Sequence, residues 1–356
     1  MDDMLKRIEE NNATHIVDET ELNGLIDKAG KIYSEHFDNR AWFERSVFIN
    51  WTCGIADCKY CYLSTVPKLK KDATRSRASI LAECLICEAM DWKIGYLTGG
   101  LRVEKTSELI ELLDGVAQVI GRKPMMNFGP YNEREITSLE PHISGMGSAI
   151  ESFDEELHAY ICPSKPLAAL MRMLGILKEK KMRKIITIIL GMGEKKSDVE
   201  EVISKIKEYD VDVLQLCFLK PQENTVFSKV PAPDPNYMAW WVSTVRIACP
   251  KTIIKVALVK ERMGDVELYL RAGANCFSRF MVFNDVGTEY ARQLVEGCKK
   301  AGRVLEGDFM TSRDLDVDTL VDELDFEKEL KESIRIKAHQ YYKKVKKLTT
   351  PVPLSL

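Results

Sequence analysis

Ser46-Val-Phe-Ile-Asn-Trp51-Thr-Cys53-Gly-Ile-Ala-Asp-Cys58-Lys-Tyr-Cys61-Tyr-Leu63 joins a short apolar run directly to three cysteines within nine residues. The run at 46–51 has the length and content of a buried strand. Thiolates at this density are metal ligands, and three of them can bind three irons of a [4Fe–4S] cluster while leaving the fourth iron open to a small molecule. A zinc site would need a fourth Cys or His, and the nearest two, Cys84 and Cys87, lie on a predicted helix about 25 residues away. Zinc and unliganded thiols are the competing readings.

Outward from this point, short apolar runs alternate with amphipathic stretches. Strands are expected at 46–51, 94–98, 124–128, 143–150, 185–190, 213–219, 253–257 and 276–280. Helical spacing fills the intervals at 73–91, 106–120, 167–181, 197–209, 235–247 and 265–272. Eight strands with interleaved helices make a parallel sheet at the count where it closes, so the expected fold class is α/β, a (β/α)8 TIM-type barrel. An open doubly wound sheet is the alternative. Segments 2–11 and 20–37, the second capped by Asp18 or Thr20, form an N-terminal helical collar over residues 1–40. The barrel then spans 41–310 and a helical extension 311–356, in which 315–347 reads as charged helix with Leu320, Leu324, Phe326 and Leu330 inward. Pro351 and Pro353 should end regular structure. In a barrel the loop after a strand lies on the C-terminal face, where active sites are built, so the three thiolates would converge there.

Composition narrows the function classes. Of 356 residues, 45% are hydrophobic and 29% charged, which suits a globular chain with ample core. Lys and Arg total 51 against 54 Asp and Glu, so a net charge of −3 offers no field for nucleic acid or an anionic membrane. No stretch approaches 18 uninterrupted apolar residues and the N-terminus is charged, so a cytoplasmic protein is expected. Ten cysteines in such a chain read as free thiols and a metal site rather than as disulfides.

Three cysteines after the first strand, with Tyr60 before the third, resemble the motif of the radical S-adenosylmethionine (SAM) superfamily, whose usual form is C-x3-C-x2-C. The spacing here is C-x4-C-x2-C, and the extra residue falls in a loop containing Gly54. Tyr96-Leu-Thr-Gly99-Gly100 looks like the family's glycine motif, where strand-edge backbone receives the SAM amino group. Glu151-Ser-Phe-Asp-Glu-Glu-Leu-His158-Ala-Tyr-Ile-Cys162-Pro163, Ile188-Ile-Leu-Gly191-Met-Gly193-Glu194, Phe218-Leu-Lys-Pro221-Gln-Glu-Asn-Thr225 and Arg271-Ala-Gly-Ala-Asn275 are similar, in order, to biotin synthase and HydE-type maturases. The resemblance covers most of the barrel. It implies that Cys53, Cys58 and Cys61 hold a [4Fe–4S] cluster, that Glu151 contacts the methionine portion of SAM, and that an arginine for the SAM carboxylate stands seven residues after Pro163. Leu170 occupies that position, which leaves Arg172 as the substitute. The family chemistry is one-electron cleavage of SAM to a 5′-deoxyadenosyl radical, fed by an external ferredoxin- or flavodoxin-like reductant and acting on a small-molecule cofactor precursor.

Within the group the chain most resembles the methanogen HcgA (HmdB) proteins of iron-guanylylpyridinol cofactor biosynthesis, which also have an expanded cysteine spacing. The runner-up is a subunit of the two-component archaeal lipoyl synthase. A non-catalytic iron–sulfur scaffold is the reading from another class. Biotin synthase itself is disfavoured, since its second cluster needs inward cysteines where this chain has Leu97, Met125 or Met126, and 185–189. Cys217 and Cys276 can point inward, as a second site or as small buried hydrophobes. Cys84 and Cys87, His142 and His158, and the pair Trp240-Trp241 are expected to pack, Met125 and Met126 to shape an apolar pocket, and Cys162, Cys249 and Cys298 show no partner.

Overall fold

The computed structural model describes residues 3–65 and 73–350. Nine parallel strands are present among them: β1 Arg40–Phe48, β2 Lys93–Thr98, β3 Met125–Asn127, β4 Gly145–Glu151, β5 Arg183–Leu190, β6 Val213–Phe218, β7 Ile253–Ala257, β8 Cys276–Ser278 and β9 Val304–Glu306. β1 through β8 run in sequence order and β1 pairs with both β8 and β2, which closes an eight-stranded barrel. β9 was not foreseen: it has three residues, its Val304 is exposed, and it pairs with Arg40–Trp42 at the start of β1. The central strands read as continuous apolar runs because a parallel sheet wrapped by helices is buried on both faces, as the pattern of β5 and β6 shows.

The helices are α1 Asp3–Asn12, α2 Glu19–His36, α3 Arg77–Ala89, α4 Thr106–Ile120, α5 Glu133–Leu139, α6 Glu155–Ile161, α7 Leu167–Glu179, α8 Asp198–Tyr209, α9 Pro235–Ala248, α10 Val266–Arg271, α11 Val282–Asp285, α12 Glu289–Lys300, α13 Val317–Asp322 and α14 Lys328–Thr349. Asp18, not Thr20, caps α2, accepting the Thr20 and Glu21 N–H groups. Among the described residues no helix is long and apolar enough to cross a membrane.

Strand register fixes what faces the lumen. Gly147, Ile185, Val213 and Ile253 pair across four strands, and Tyr96 and Met125 join Ile185 and Val213 in a hydrophobic floor. Met126 points the other way, into the outer core. One layer up, Ala149, Thr187, Gln215, Lys255 and Cys276 pair in register. Here Tyr96 Oη donates to Gln215 at 2.7 Å, and Lys255 is ion-paired with Glu44. The top layer pairs Ile189 with Cys217 and Ala257 with Ser278.

Both extensions pack on the barrel. α14 lies against α3, and its buried residues Ile334, Ala338 and Val345, with Val317 and Val321 of α13, make the inner face. Leu320, Leu324, Phe326 and Leu330 only flank that ridge, a one-position rotation of the expected face. Glu83 of α3 is buried between Arg45 (2.7 Å) and Arg75 (2.6 Å), and Arg75 also reaches Tyr341 of α14 at 2.8 Å. The expected end at Pro351 and Pro353 lies outside the described residues.

Within the N-terminal segment α2 packs on α9 outside the barrel, and α1 lies over the C-terminal mouth. Ile8 is fully buried in a cluster with Ile161, Ile189, Met192 and Cys217. Asn11 and Asn12 donate to the carbonyls of Gly193 (2.7 Å) and Gly191 (2.8 Å) in the turn after β5. That turn is closed by Glu194, whose carboxylate accepts the Gly191 and Met192 N–H groups, and His15 Nε2 meets the Glu194 carbonyl at 2.8 Å. Burial pushes Glu194 up to about 7 and pushes His15 down. The signs oppose. Glu194 contributes stability that is present below its ordinary pKa of 4.5 and is lost as pH rises through about 7. His15 contributes stability that is present above its ordinary 6.5 and is lost as pH falls through its lowered folded value. Glu194→Gln should therefore give a melting temperature that rises more steeply between pH 5 and 6.5 than that of the wild type, and His15→Asn one that falls across pH 4.5 to 7. Each tenfold change in proton affinity is worth about 1.4 kcal/mol. Parallel melting-versus-pH curves for both variants would refute the assignment.

Candidate active site at the barrel mouth

β1 ends at Phe48, and the chain crosses the rim before reaching Cys53. Buried Asn50 fastens the crossing: its Oδ1 accepts the Gly100 N–H at 2.7 Å and its Nδ2 donates to Glu104 at 2.9 Å. Gly54 N–H donates to the Leu101 carbonyl at 2.7 Å, and the Leu101 N–H points at Cys53 Sγ at 3.3 Å. The cysteine loop is thus laid on the Gly99-Gly100 turn that ends β2. A Cβ on Gly100 would stand 1.7 Å from the Thr52 carbonyl oxygen, so the second glycine is required by the approach of the loop itself. Gly100→Ala should cost about 1–3 kcal/mol by overpacking and lower iron incorporation, read by thermal melting and iron analysis; wild-type values for both would show that the loop adjusts freely.

The residue added between Cys53 and Cys58 is absorbed at Ala56, whose φ of 38° is left-handed. Gly54 serves differently, packing on the backbone of Leu101 and Arg102, whose carbonyl oxygens would lie 3.0 and 2.9 Å from an added Cβ.

Cys53, Cys58 and Cys61 are half-buried and free, whereas the seven other cysteines are buried. Burial, together with the charges of Cys58 and Cys53, pushes the Cys61 thiol up to about 11, so the three sulfurs share one neighbourhood. A hydrogen bond from Cys162 pulls Cys58 down and holds Cys162 itself protonated. Cys162 follows α6, and the Lys59 N–H donates to the neighbouring Ile161 carbonyl at 2.9 Å. Among the described residues no group of three His, Cys, Asp or Glu side chains is gathered closely enough to hold a single metal ion. The donor set is three soft thiols on a rim loop, which suits an iron–sulfur cluster, and the buried Asp57 Oδ1 beside them lacks a hydrogen-bond partner among the described residues.

Glu151 ends β4 at a register shift, with φ of 62°, and its side chain is buried. Tyr60 Oη donates to Glu151 Oε1 at 2.5 Å. Lys165 Nζ donates to both carboxylate oxygens, at 2.7 and 2.6 Å, and to the Ala149 carbonyl at 2.8 Å. The Glu151 charge, foremost after burial, holds the Lys165 ammonium above its ordinary pKa. His158 braces the same corner, its ring nitrogens 2.8 Å from the Ile150 carbonyl and 2.7 Å from the Lys165 carbonyl, which makes it structural as expected.

The structure thus brings together Cys53, Cys58, Cys61, Tyr60, Gly99, Gly100 and Glu151. It leaves Arg172 apart: that side chain is exposed on α7 and forms no hydrogen bond or ion pair among the described residues, so Lys165 is the cation at Glu151. Cys217 and Cys276 both face the lumen, but in different layers and two strands apart, roughly 10 Å in each direction at most. Cys84 and Cys87 are core residues, Trp241 is buried, and Trp240 donates to Glu21 at 2.8 Å. Sequence reading missed Lys165, Cys162 and Arg279, the last directly after β8.

No family model matches the chain. Its sequence is 31% identical over 286 residues to the uncharacterized protein MJ0597 of Methanocaldococcus jannaschii, covering 79% of each chain. It is 24% identical to biotin synthase of Thermotoga neapolitana, over 71% of this chain and 94% of that one, and 23% identical to biotin synthase of Shewanella halifaxensis, over 71% and 75%. Among solved structures, methylornithine synthase (PylB) superposes with a TM-score of 0.66 at 18% identity, covering 77% of this chain and 85% of PylB. The FeFe-hydrogenase maturase HydG from Carboxydothermus hydrogenoformans superposes with 0.67 at 16%, covering 97% and 90%. With 31% identity over 79% of its length, the chain belongs to the family of the uncharacterized protein MJ0597.

Proposed function

We propose that the chain is a SAM-cleaving enzyme whose cluster is held by Cys53, Cys58 and Cys61, acting in the biosynthesis of a cofactor, with the HcgA-type step toward the iron-guanylylpyridinol cofactor as the specific reading. The observation that carries it is the convergence of three half-buried thiols with the Tyr60–Glu151–Lys165 corner on one side of the lumen's opening. When bound, the cluster and SAM supply one-electron cleavage of a carbon–sulfur bond, yielding a 5′-deoxyadenosyl radical that removes hydrogen from substrate carbon. The protein's part is to position and to enclose. Gly99 and Gly100 bring rim backbone close to the cysteine loop, and Glu151, oriented by Tyr60 and Lys165, would be the carboxylate available to the methionine portion of SAM. The barrel wall, floored by Tyr96, Met125, Ile185 and Val213, closes the reaction space below and keeps water from that side. Support for the HcgA-type reading is the four-residue spacing between Cys53 and Cys58, together with the ordered motifs along the barrel. The separation of Cys217 and Cys276 weighs against a sulfur-donating second cluster, which a lipoyl-synthase-type reaction needs.

The deciding experiment is anaerobic reconstitution with iron and sulfide, followed by dithionite and SAM. Formation of 5′-deoxyadenosine is expected, and its absence in protein with a full cluster would overturn the enzymatic reading in favour of a scaffold. Incubation with pyridinol precursors and mass spectrometry of the products tests the pathway. Sulfur-containing products would favour the lipoyl-type alternative.

A further inference from the structure

The geometry points to Arg279 as the receptor for an oxyanion carried by the substrate, which makes the substrate an organic acid held with its anionic end at the top of the lumen. This rests on the radical SAM reading of the mouth and names the substrate class for it.

Arg279 follows Ser278, the last residue of β8, whose hydroxyl meets Gln215 inside the barrel at 3.4 Å. Strict alternation would send the next side chain outward. The backbone at Arg279 instead has φ of 67°, a left-handed conformation that is uncommon for a long side chain and clusters at functional positions. The turn brings the guanidinium to the mouth, into the neighbourhood of Cys217, Tyr96, Tyr60 and Cys61. All four belong to the lumen or the cysteine loop.

The guanidinium has no hydrogen bond or ion pair among the described residues, and its side chain is open to solvent. The contrast with the other lumen cation is instructive. Lys255 is buried and already neutralised by Glu44. Arg279 therefore brings a planar fork of donors, suited to a carboxylate or phosphate, that the described residues leave unused.

Below it, the lumen holds further unmet hydrogen-bonding capacity. Ser46 Oγ and Thr187 Oγ1, each more than nine-tenths buried, and Asn127 Oδ1 have no partner among the described residues. Ser46 pairs with inward Tyr96, Thr187 with Gln215, and Asn127 with Gly147, so all three face the lumen. Orphaned buried polar atoms call for a ligand or water. From the Cys276 layer to Arg279 is three residues of strand, roughly 10 Å. A small acid of about that length, with neutral polar groups beneath its anion, would satisfy both sets of donors and acceptors.

SAM has a carboxylate as well, so the test separates the two sources. Reconstituted full-length protein is titrated calorimetrically with SAM alone, then with glutarate and with inorganic phosphate in the presence of SAM. Wild type should bind at least one of the two anions in the millimolar range, and Arg279→Gln should weaken that binding about tenfold or more while SAM affinity stays within about twofold. Arg279→Lys should fall between them, since it keeps the charge and loses the fork. Arg279→Gly, which relaxes the backbone, should lose the anion and melt no lower than wild type. The inference fails if neither anion binds wild type, if Arg279→Gln binds them equally, if SAM affinity falls in parallel, or if Arg279→Gly melts several degrees lower. Cluster content and 5′-deoxyadenosine are measured on the same samples: their loss in wild type indicts the enzymatic reading, whereas anion binding that depends on Arg279 would still stand.

Discussion

Cys53→Ala, Cys58→Ala and Cys61→Ala should each reduce iron and sulfide to background and abolish 5′-deoxyadenosine formation, while Cys298→Ala keeps both. The difference comes from where the sulfurs stand. The three motif cysteines are half-buried on a rim loop that is held by backbone hydrogen bonds at Trp51, Gly54 and Lys59, so removing a thiol subtracts a donor without disturbing the barrel. A three-thiolate set cannot spare a ligand, because its fourth iron site is reserved for a non-protein group. Cys298, in contrast, is buried among apolar side chains, and its loss costs packing alone. Cys58 carries an additional consequence, since its removal strands the Cys162 thiol that now bonds to it. Full cluster content and SAM cleavage in any of the three motif variants would refute the ligand assignment; loss of iron in Cys298→Ala would mean that incorporation reports only on folding.

The barrel was legible because its strands are buried on both faces and therefore read as apolar runs: 185–190 against Arg183–Leu190, and 253–257 without change. What escaped was short or half-exposed, such as β9, or the shift at Glu151, where the strand's period breaks. The cysteine loop was legible from local spacing alone. Its companions were not, because closure of the barrel rather than sequence proximity brings them there. Cys162 reaches Cys58 across about a hundred residues. Arg279 is turned by a left-handed residue after β8 that a strand pattern does not announce. The resemblance points to an arginine seven residues after Pro163 and so to Arg172, whose side chain is solvated; the cation beside Glu151 comes instead from Pro163-Ser-Lys165-Pro166 ahead of the helix.

Lys165→Met should destabilise the protein by about 3–5 kcal/mol, because it leaves the Glu151 carboxylate buried with no countercharge. In a chain of this size that is a fall in melting temperature of roughly 4–7 °C. The side chain can be removed cleanly: the Lys165 backbone is held by His158 through its carbonyl, and methionine fills the same volume. Tyr60 remains as a donor to Glu151, but one neutral hydrogen bond does not replace two charge-assisted ones. Glu151→Gln alone should also destabilise, leaving the ammonium with the Ala149 carbonyl and an amide oxygen. Combining the two changes removes both charges, and the double variant should recover part of the loss, giving a coupling energy of about 1–3 kcal/mol. Thermal and urea melts of the four proteins close the cycle. If Lys165→Met melts with wild type, or if the double variant is no more stable than the single, the pair is not what holds this corner of the mouth together, and Glu151 owes its orientation to the left-handed end of β4 alone.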